Sequence, residues 1–249
     1  MSLFSRIALA SLAAPMVLAL AACGSKEDNG EVAEAAKIDP IAPPAGKNWT
    51  DMAQETPEGG ILEGNPDAPI KLVEYFSHTC PHCAEFNEAA EPDLTQKYVA
   101  SGRVSYEMRN QIHDPIDLTF AVLARCAGPE AFGPLAEQGW EDLRGFYDKA
   151  QGNQAGFNAA MEKAGAERFD GIAEVTGLFD FFAARGISKD QAKQCLANVD
   201  LAKQIAERSD KQSAELNVQG TPTFFINGKN VGTLSWPELE AMLQRAGAR

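Results

Sequence analysis

The stretch Lys71–Cys83, KLVEYFSHTCPHC, decides how the rest of the chain is read. Leu72, Val73, Tyr75 and Phe76 make a short, nearly continuous apolar run, which predicts a buried β-strand. A turn follows and ends in Cys80-Pro81-His82-Cys83. The residues after it, Ala84–Ala90, predict a helix that begins at the motif. Two cysteines separated by two residues can close a disulfide within one helical turn. A sulfur at a helix N-terminus meets unpaired backbone N–H groups and the positive end of the dipole. Such placement lowers a thiol pKa from about 8.5 into the range of roughly 3.5–7.5. A stabilised thiolate is a good leaving group, so its disulfide is easily reduced and therefore oxidising. Cys80 and Cys83 are thus the expected catalytic pair, and disulfide exchange with other proteins is the expected chemistry.

The rest of the chain sets the context for that pair. It has 249 residues, 45% hydrophobic, which suffices for one domain with a large core or one carrying an insertion. Residues 1–22 read as a secretory signal, with Arg6 before the apolar stretch Ile7–Ala22. That stretch contains Pro15 and is marginal for a membrane span, which needs about 20 residues. The net charge is −13, and with Arg6 as the signal's only charge the remainder carries −14. Such a chain would be repelled by nucleic-acid phosphates.

Leu20-Ala21-Ala22-Cys23 resembles the lipobox of bacterial lipoproteins. The resemblance implies cleavage before Cys23 and acyl chains on it, which would anchor the protein to a membrane. Ordinary cleavage with Cys23 an incidental thiol is the alternative. Gly24-Ser25 lacks the acid that retains some lipoproteins at the inner membrane, so by resemblance the outer membrane is favoured. Five cysteines leave one odd in an exported chain. With Cys23 lipidated, four remain and allow three pairings. The short spacing favours Cys80 with Cys83. Cys126 and Cys195 then form either a structural disulfide or two free buried thiols. If joined, they close a loop of 69 positions, worth roughly 4 kcal/mol in the chain-entropy model. An oxidising compartment, the periplasm, permits both bonds.

In chain order, residues 23–47 are polar, acidic and proline-bearing, and predict a disordered tether. Ile61-Leu62 predicts a short strand, followed by the Ile70–Phe76 strand and a helix to Ala100 with a kink at Pro92. Val104–Arg109 alternates like another strand. Residues 114–213 show almost only helical periodicity. Their apolar stripes are Ile116, Phe120, Leu123 and Ala124, then Phe132, Leu135, Trp140, Leu143 and Phe146, then Ile172, Val175, Leu178, Phe181 and Phe182. Ser188–Gln191 resembles a capping box. Pro222–Ile226 and Lys229–Thr233 flank Asn227-Gly228, a hairpin turn signal. Ser235 and Pro237 start a last helix, Trp236–Ala246.

At this point the chain resembles the DsbA-like branch of the thioredoxin superfamily. The resemblance rests on Cys80-Pro81-His82-Cys83 and on Gly220-Thr221-Pro222-Thr223 before the hairpin, and it covers residues 48–249. It implies an α/β thioredoxin fold with an inserted all-helical domain. Residues 48–113 and 214–249 would form the thioredoxin part and residues 114–213 the insertion. It further implies that Cys80 is the exposed nucleophile and Cys83 the resolving thiol. Pro81 would fix the first helical turn, and His82 would favour the Cys80 thiolate as cation or donor. Thr221–Pro222 would be a cis bond facing the disulfide, leaving the Thr221 backbone free for an extended substrate segment. Glu74, an acid in an apolar strand, either reaches solvent or is buried with a raised pKa and relays a proton for Cys83.

His78 and His113 are expected in loops, and His113 has no assigned role. A zinc site would need four ligands, and the His78 and His82 spacings suit one ion poorly. No metal and no cofactor beyond the Cys80–Cys83 disulfide are expected. The expected partners are exported proteins with cysteines and, by resemblance, a DsbB-like membrane protein that recycles the pair. A monomer is expected, because residues between Cys23 and Trp49 are too few and too polar for a dimerisation domain. Oxidase, reductase and isomerase share this fold. A client-binding chaperone module is the reading from another class, and a Cys80→Ser, Cys83→Ser variant separates it from exchange.

Overall fold

The structure is a computed structural model and describes residues 32–249. The expected signal, residues 1–22, and the expected lipidation site Cys23 lie outside the described residues. Six strands, β1 (Ala53–Glu55), β2 (Ile61–Gly64), β3 (Ile70–Phe76), β4 (Val104–Asn110), β5 (Thr223–Ile226) and β6 (Lys229–Gly232), form one mixed sheet in the order β1-β2-β4-β3-β5-β6. At its centre, β3 (Ile70–Phe76) pairs in parallel with β4 (Val104–Asn110) and antiparallel with β5 (Thr223–Ile226). A parallel pair needs a crossover, and helix α1 (Pro81–Asp93) supplies it. β3 reads as an apolar run because a central strand is covered on both faces. Leu72 and Phe76 are fully buried on one face and Tyr75 on the other.

Three local features differ from expectation. Pro92 lacks an N–H and its ring opposes the carbonyl four residues back. The helix therefore ends at Asp93 and continues as a π-helical turn, Leu94–Val99, which seats Leu94, Tyr98 and Val99 in the core. β2 (Ile61–Gly64) is joined by an edge strand, β1 (Ala53–Glu55), that has no apolar run and exists through its pairing with β2. The third difference is the tether expected over residues 23–47. Within the described residues it is instead fastened to the body. Ala35 N–H donates to Arg245 O and Ile38 N–H to Gly247 O, both at 2.9 Å. Ile41 N–H donates to Ser101 O at 2.9 Å, and the Trp49 indole donates to Ile41 O at 2.7 Å. Val32 and Ile38 pack on the main core. The average composition of this segment is polar, but these few apolar residues and the carbonyls near the C-terminus suffice to hold it.

Between β4 and β5 run eight helices. They are α2 (Pro115–Cys126), α3 (Pro129–Glu141), α4 (Leu143–Gly152), α5 (Gln154–Met161), α6 (Ala166–Thr176), α7 (Leu178–Ala183), α8 (Lys189–Leu196) and α9 (Val199–Glu215). Every residue of the three predicted stripes is buried except Val175, which is half-buried. The Ser188 capping box is formed. β5 and β6 (Lys229–Gly232) close as a hairpin with positive φ at both Asn227 (50°) and Gly228 (80°), as a type I′ turn requires. A last helix, α10 (Trp236–Arg245), starts at the Ser235–Glu238 capping box and packs against α1. Among the described residues, no helix is long and apolar enough to cross a membrane.

Candidate active site

β3 delivers the chain into the turn Ser77-His78-Thr79, and the helical part holds this turn. Asp117 of α2 is fully buried. It accepts from Ser77 Oγ (2.6 Å), His78 N–H (3.0 Å) and His113 N–H (2.9 Å), and it pairs with His78 Nδ1 (3.1 Å). Asp114 caps α2 and accepts from Thr79 Oγ1 at 2.8 Å. The Trp140 indole of α3 donates to Ser77 O at 3.0 Å. His78 lies in this turn, as expected, but its side chain is buried: the ring stacks on Phe120 at 4.5 Å, and burial pushes its pKa down.

The turn places Cys80 as the N-cap of α1, with Pro81 in the first helical position. Cys80 and Cys83 are free thiols, and Cys80, expected to be the exposed sulfur, is itself buried at 4% exposure because the Thr221–Pro222 segment covers it. The Cys83 N–H donates to the Cys80 sulfur at 3.4 Å, and Cys80 Sγ donates to Thr221 O at 3.3 Å. The Cys80 thiol is lowered to about 5, first by a hydrogen bond from the Cys83 thiol. Burial opposes this, while the Thr221 side chain and the backbone N–H groups of Cys83 and His82 add to it. Cys83 is fully buried and its pKa is driven far up, burial being the largest cause. The helix start thus makes one sulfur a thiolate and keeps its neighbour a thiol.

Glu74 lies inside. It is 1% exposed, accepts the Tyr106 hydroxyl on Oε2, and its pKa is raised to about 8, chiefly by burial. β5 brings in the distant segment. Tyr75 pairs with Thr223, so Thr221–Pro222, a cis bond, lies at the end of β3 facing Cys80. The structure thus gathers Cys80, Cys83, Pro81, Glu74, Thr221 and Pro222. The His82 ring is exposed and bonded to Glu85 Oε2 at 3.1 Å; its backbone N–H lowers the Cys80 pKa, and after Glu85 the Cys80 charge also raises the pKa of the ring, so imidazolium and thiolate favour each other.

His113, given no role from the sequence, meets Thr221 Oγ1 through Nε2 at 3.2 Å. Nothing local signals this contact, because its partner comes from the far end of the chain. Beside the motif lies a cleft of about 320 Å³, lined among others by Phe86, Pro222, Leu234 and Trp236. Far from it, Cys126 and Cys195 are joined in a disulfide with Cα atoms 6.1 Å apart. Among the described residues, no three His, Cys, Asp or Glu side chains converge as metal ligands.

The sequence model of the family described as Thioredoxin matches residues 56–245. A relative in Rickettsia conorii, named as a protein-disulfide oxidoreductase, is 29% identical over 189 residues, covering 76% of this chain and 61% of its own. The chain thus spans about six tenths of the length of the Rickettsia relatives it matches. Disulfide bond formation protein D of Bacillus subtilis is 26% identical, with 71% of each chain covered. A solved protein-disulfide isomerase from Novosphingobium aromaticivorans superimposes with TM-score 0.67 at 34% identity, covering 73% of this chain and 96% of that one. Wolbachia pipientis alpha-DsbA1 shares the fold at TM-score 0.63 and 20% identity, over 80% and 96% of the two chains. The protein is therefore a member of the thioredoxin family, built as an α/β thioredoxin fold of the DsbA-like kind with helices inserted between β4 and β5.

Proposed function

We propose that this chain is a thiol–disulfide oxidoreductase that passes the Cys80–Cys83 disulfide to cysteine pairs of exported proteins. The observation that carries the reading is the Cys80 sulfur, set at the start of α1, lowered to about 5 and facing Thr221 and Pro222. In the oxidised form, a substrate thiolate attacks Cys80 Sγ. The Cys80–Cys83 bond breaks, a substrate–Cys80 bond forms, and Cys83 leaves. Cys83 holds its proton firmly, and Glu74, protonated up to about 8, is the acid that supplies it. The substrate's second thiolate then attacks the substrate sulfur of the mixed disulfide. Cys80 departs as the thiolate that the helix start stabilises. Two electrons have passed from substrate to enzyme, and a membrane redox partner of the DsbB-like kind removes them.

The enzyme works from a lipid anchor at Cys23 in the periplasm, on the outer membrane by the lipobox argument. Fatty-acid labelling of wild type against Cys23→Ala, with fractionation of the membranes, tests this part by itself. The redox direction is tested by equilibrating the pair with glutathione and trapping the free thiols. A potential near −120 mV marks an oxidant and one near −270 mV a reductant. The solved relative at 34% identity is a protein-disulfide isomerase, so a second arm uses a client with scrambled disulfides. Rearrangement faster than net oxidation would replace the oxidase reading with an isomerase one.

A further inference from the structure

The two oxygens of Glu74 are not equivalent. Oε2 accepts the Tyr106 hydroxyl, while Oε1 is buried with no hydrogen-bond partner among the described residues. Oε1 is thus the oxygen free to exchange a proton with Cys83. Tyr106 lies on β4 between two strands, paired with Leu72 of β3 on one side and Glu63 of β2 on the other. Cross-strand partners share a face of the sheet, so a second carboxyl stands on the far side of the Tyr106 position. That carboxyl runs up against α3 at Gly133, where an added Cβ would clash with Glu63 Oε1. Glu63 and Glu137 are each raised to about 7, by burial first and then by neighbouring carboxylates, with Glu91 acting on both. Glu137 and Glu141 line an open cleft of about 410 Å³ between α1 and α3.

A buried acid that exchanges one proton per turnover needs a way to solvent. The sulfur side is a poor one. Cys80 is 4% exposed, Cys83 is fully buried, and a bound substrate would cover both. We propose that the Glu74 proton enters and leaves past Tyr106, toward Glu63 and the α1–α3 cleft, with Tyr106 as the residue that positions Glu74. The proposal rests on the exchange reading above. In balance, the Cys83 thiolate released on reduction takes the proton of Glu74 Oε1. The ionised Glu74 keeps the Tyr106 hydrogen bond and regains a proton from solvent on the Glu63 side. Reoxidation sends it out the same way. The charges facing this row are those of Cys80 and Cys83 on Glu74, then Glu63 on Tyr106, and Glu91, Glu137 and Glu141 beyond.

The test compares Glu74→Gln, Tyr106→Phe and Glu63→Gln by the pH dependence of the reduction potential and by the rate of reduction with glutathione. Glu74→Gln should remove the break near pH 8. Tyr106→Phe should move that break up by about one pH unit, because a hydroxyl no longer stabilises the carboxylate. Glu63→Gln should leave the potential in place but slow reduction at pH 7 by roughly tenfold, below the 10²–10⁴-fold worth of a complete proton-transfer group. A Tyr106→Phe break at the wild-type pH, or a Glu63→Gln rate equal to wild type, overturns the route. Glu63 is half-buried, so its variant keeps the test open if Tyr106→Phe does not fold. A Glu74→Gln protein that keeps the break would overturn the proton role of Glu74 itself, a separate and earlier failure.

Discussion

The molecule carries two cysteine pairs at opposite ends of helices. Cys80 caps the N-terminus of α1, while Cys126 is the last residue of α2 and Cys195 lies in the last turn of α8. The N-terminal end of a helix stabilises a thiolate and the C-terminal end disfavours it. The cations next to the second pair turn elsewhere, Arg125 to the Gly59 carbonyl and Lys193 toward the Phe179 ring. Cys80 also meets Thr221, next to a cleft lined by His82 and Pro222, whereas the second pair ties two helices together. On the proposed function the Cys80/Cys83 pair exchanges its bond, while the Cys126–Cys195 disulfide is structural. Helix polarity and surroundings make the difference.

The most severe way to break this contrast is to remove each pair. Cys80→Ser should abolish oxidation of a reduced client, and Cys83→Ala should leave mixed disulfides visible on a non-reducing gel. Cys126→Ala with Cys195→Ala should leave exchange intact but cost roughly 4 kcal/mol in the chain-entropy model, a drop of about 10 °C in Tm for a chain of this size. Stepwise reduction with glutathione should open Cys80–Cys83 first, and Cys126–Cys195 opening first would refute the polarity argument.

Smaller effects follow from pH. The folded Cys80 thiol lies below its unfolded value of 9.0, at about 5. Its thiolate stabilises the reduced protein fully above pH 9, and this is lost as pH falls through about 5. Thiolate absorbance should titrate near pH 5, and the stability gap between reduced and oxidised protein should be narrower at pH 4 than at pH 7.5. Glu74 is shifted the other way, from 4.5 to about 8. The native state loses stability as pH rises from 4.5 through 8, so Glu74→Gln should melt higher than wild type at pH 9 and not at pH 4. The least effect is expected of His82→Ala. Its ring faces Glu85, so the Cys80 titration should move by under about half a pH unit.

Local sequence is legible where one stretch of chain meets its own neighbours. The β3–α1 junction, the Asn227-Gly228 turn and the Ser188 and Ser235 caps depend on residues a few positions apart. The sequence is silent where the deciding partner is remote. β1 needs β2, and the polar segment before Trp49 needs the carbonyls of Arg245 and Gly247. His113 acquires a place only when Thr221 arrives from the other end.

By itself the sequence determined that a pair of cysteines two residues apart opens a helix after a buried strand, and that helices interrupt an α/β framework. Those follow from hydrophobic period, capping and cysteine spacing, all short-range properties. Only the tertiary structure decided that Glu74 is buried against Tyr106, that Asp117 and Trp140 hold the turn before Cys80, and that His82 looks outward. Burial and proton affinity depend on what every other segment brings to the same place, and spacing along the chain does not carry that information.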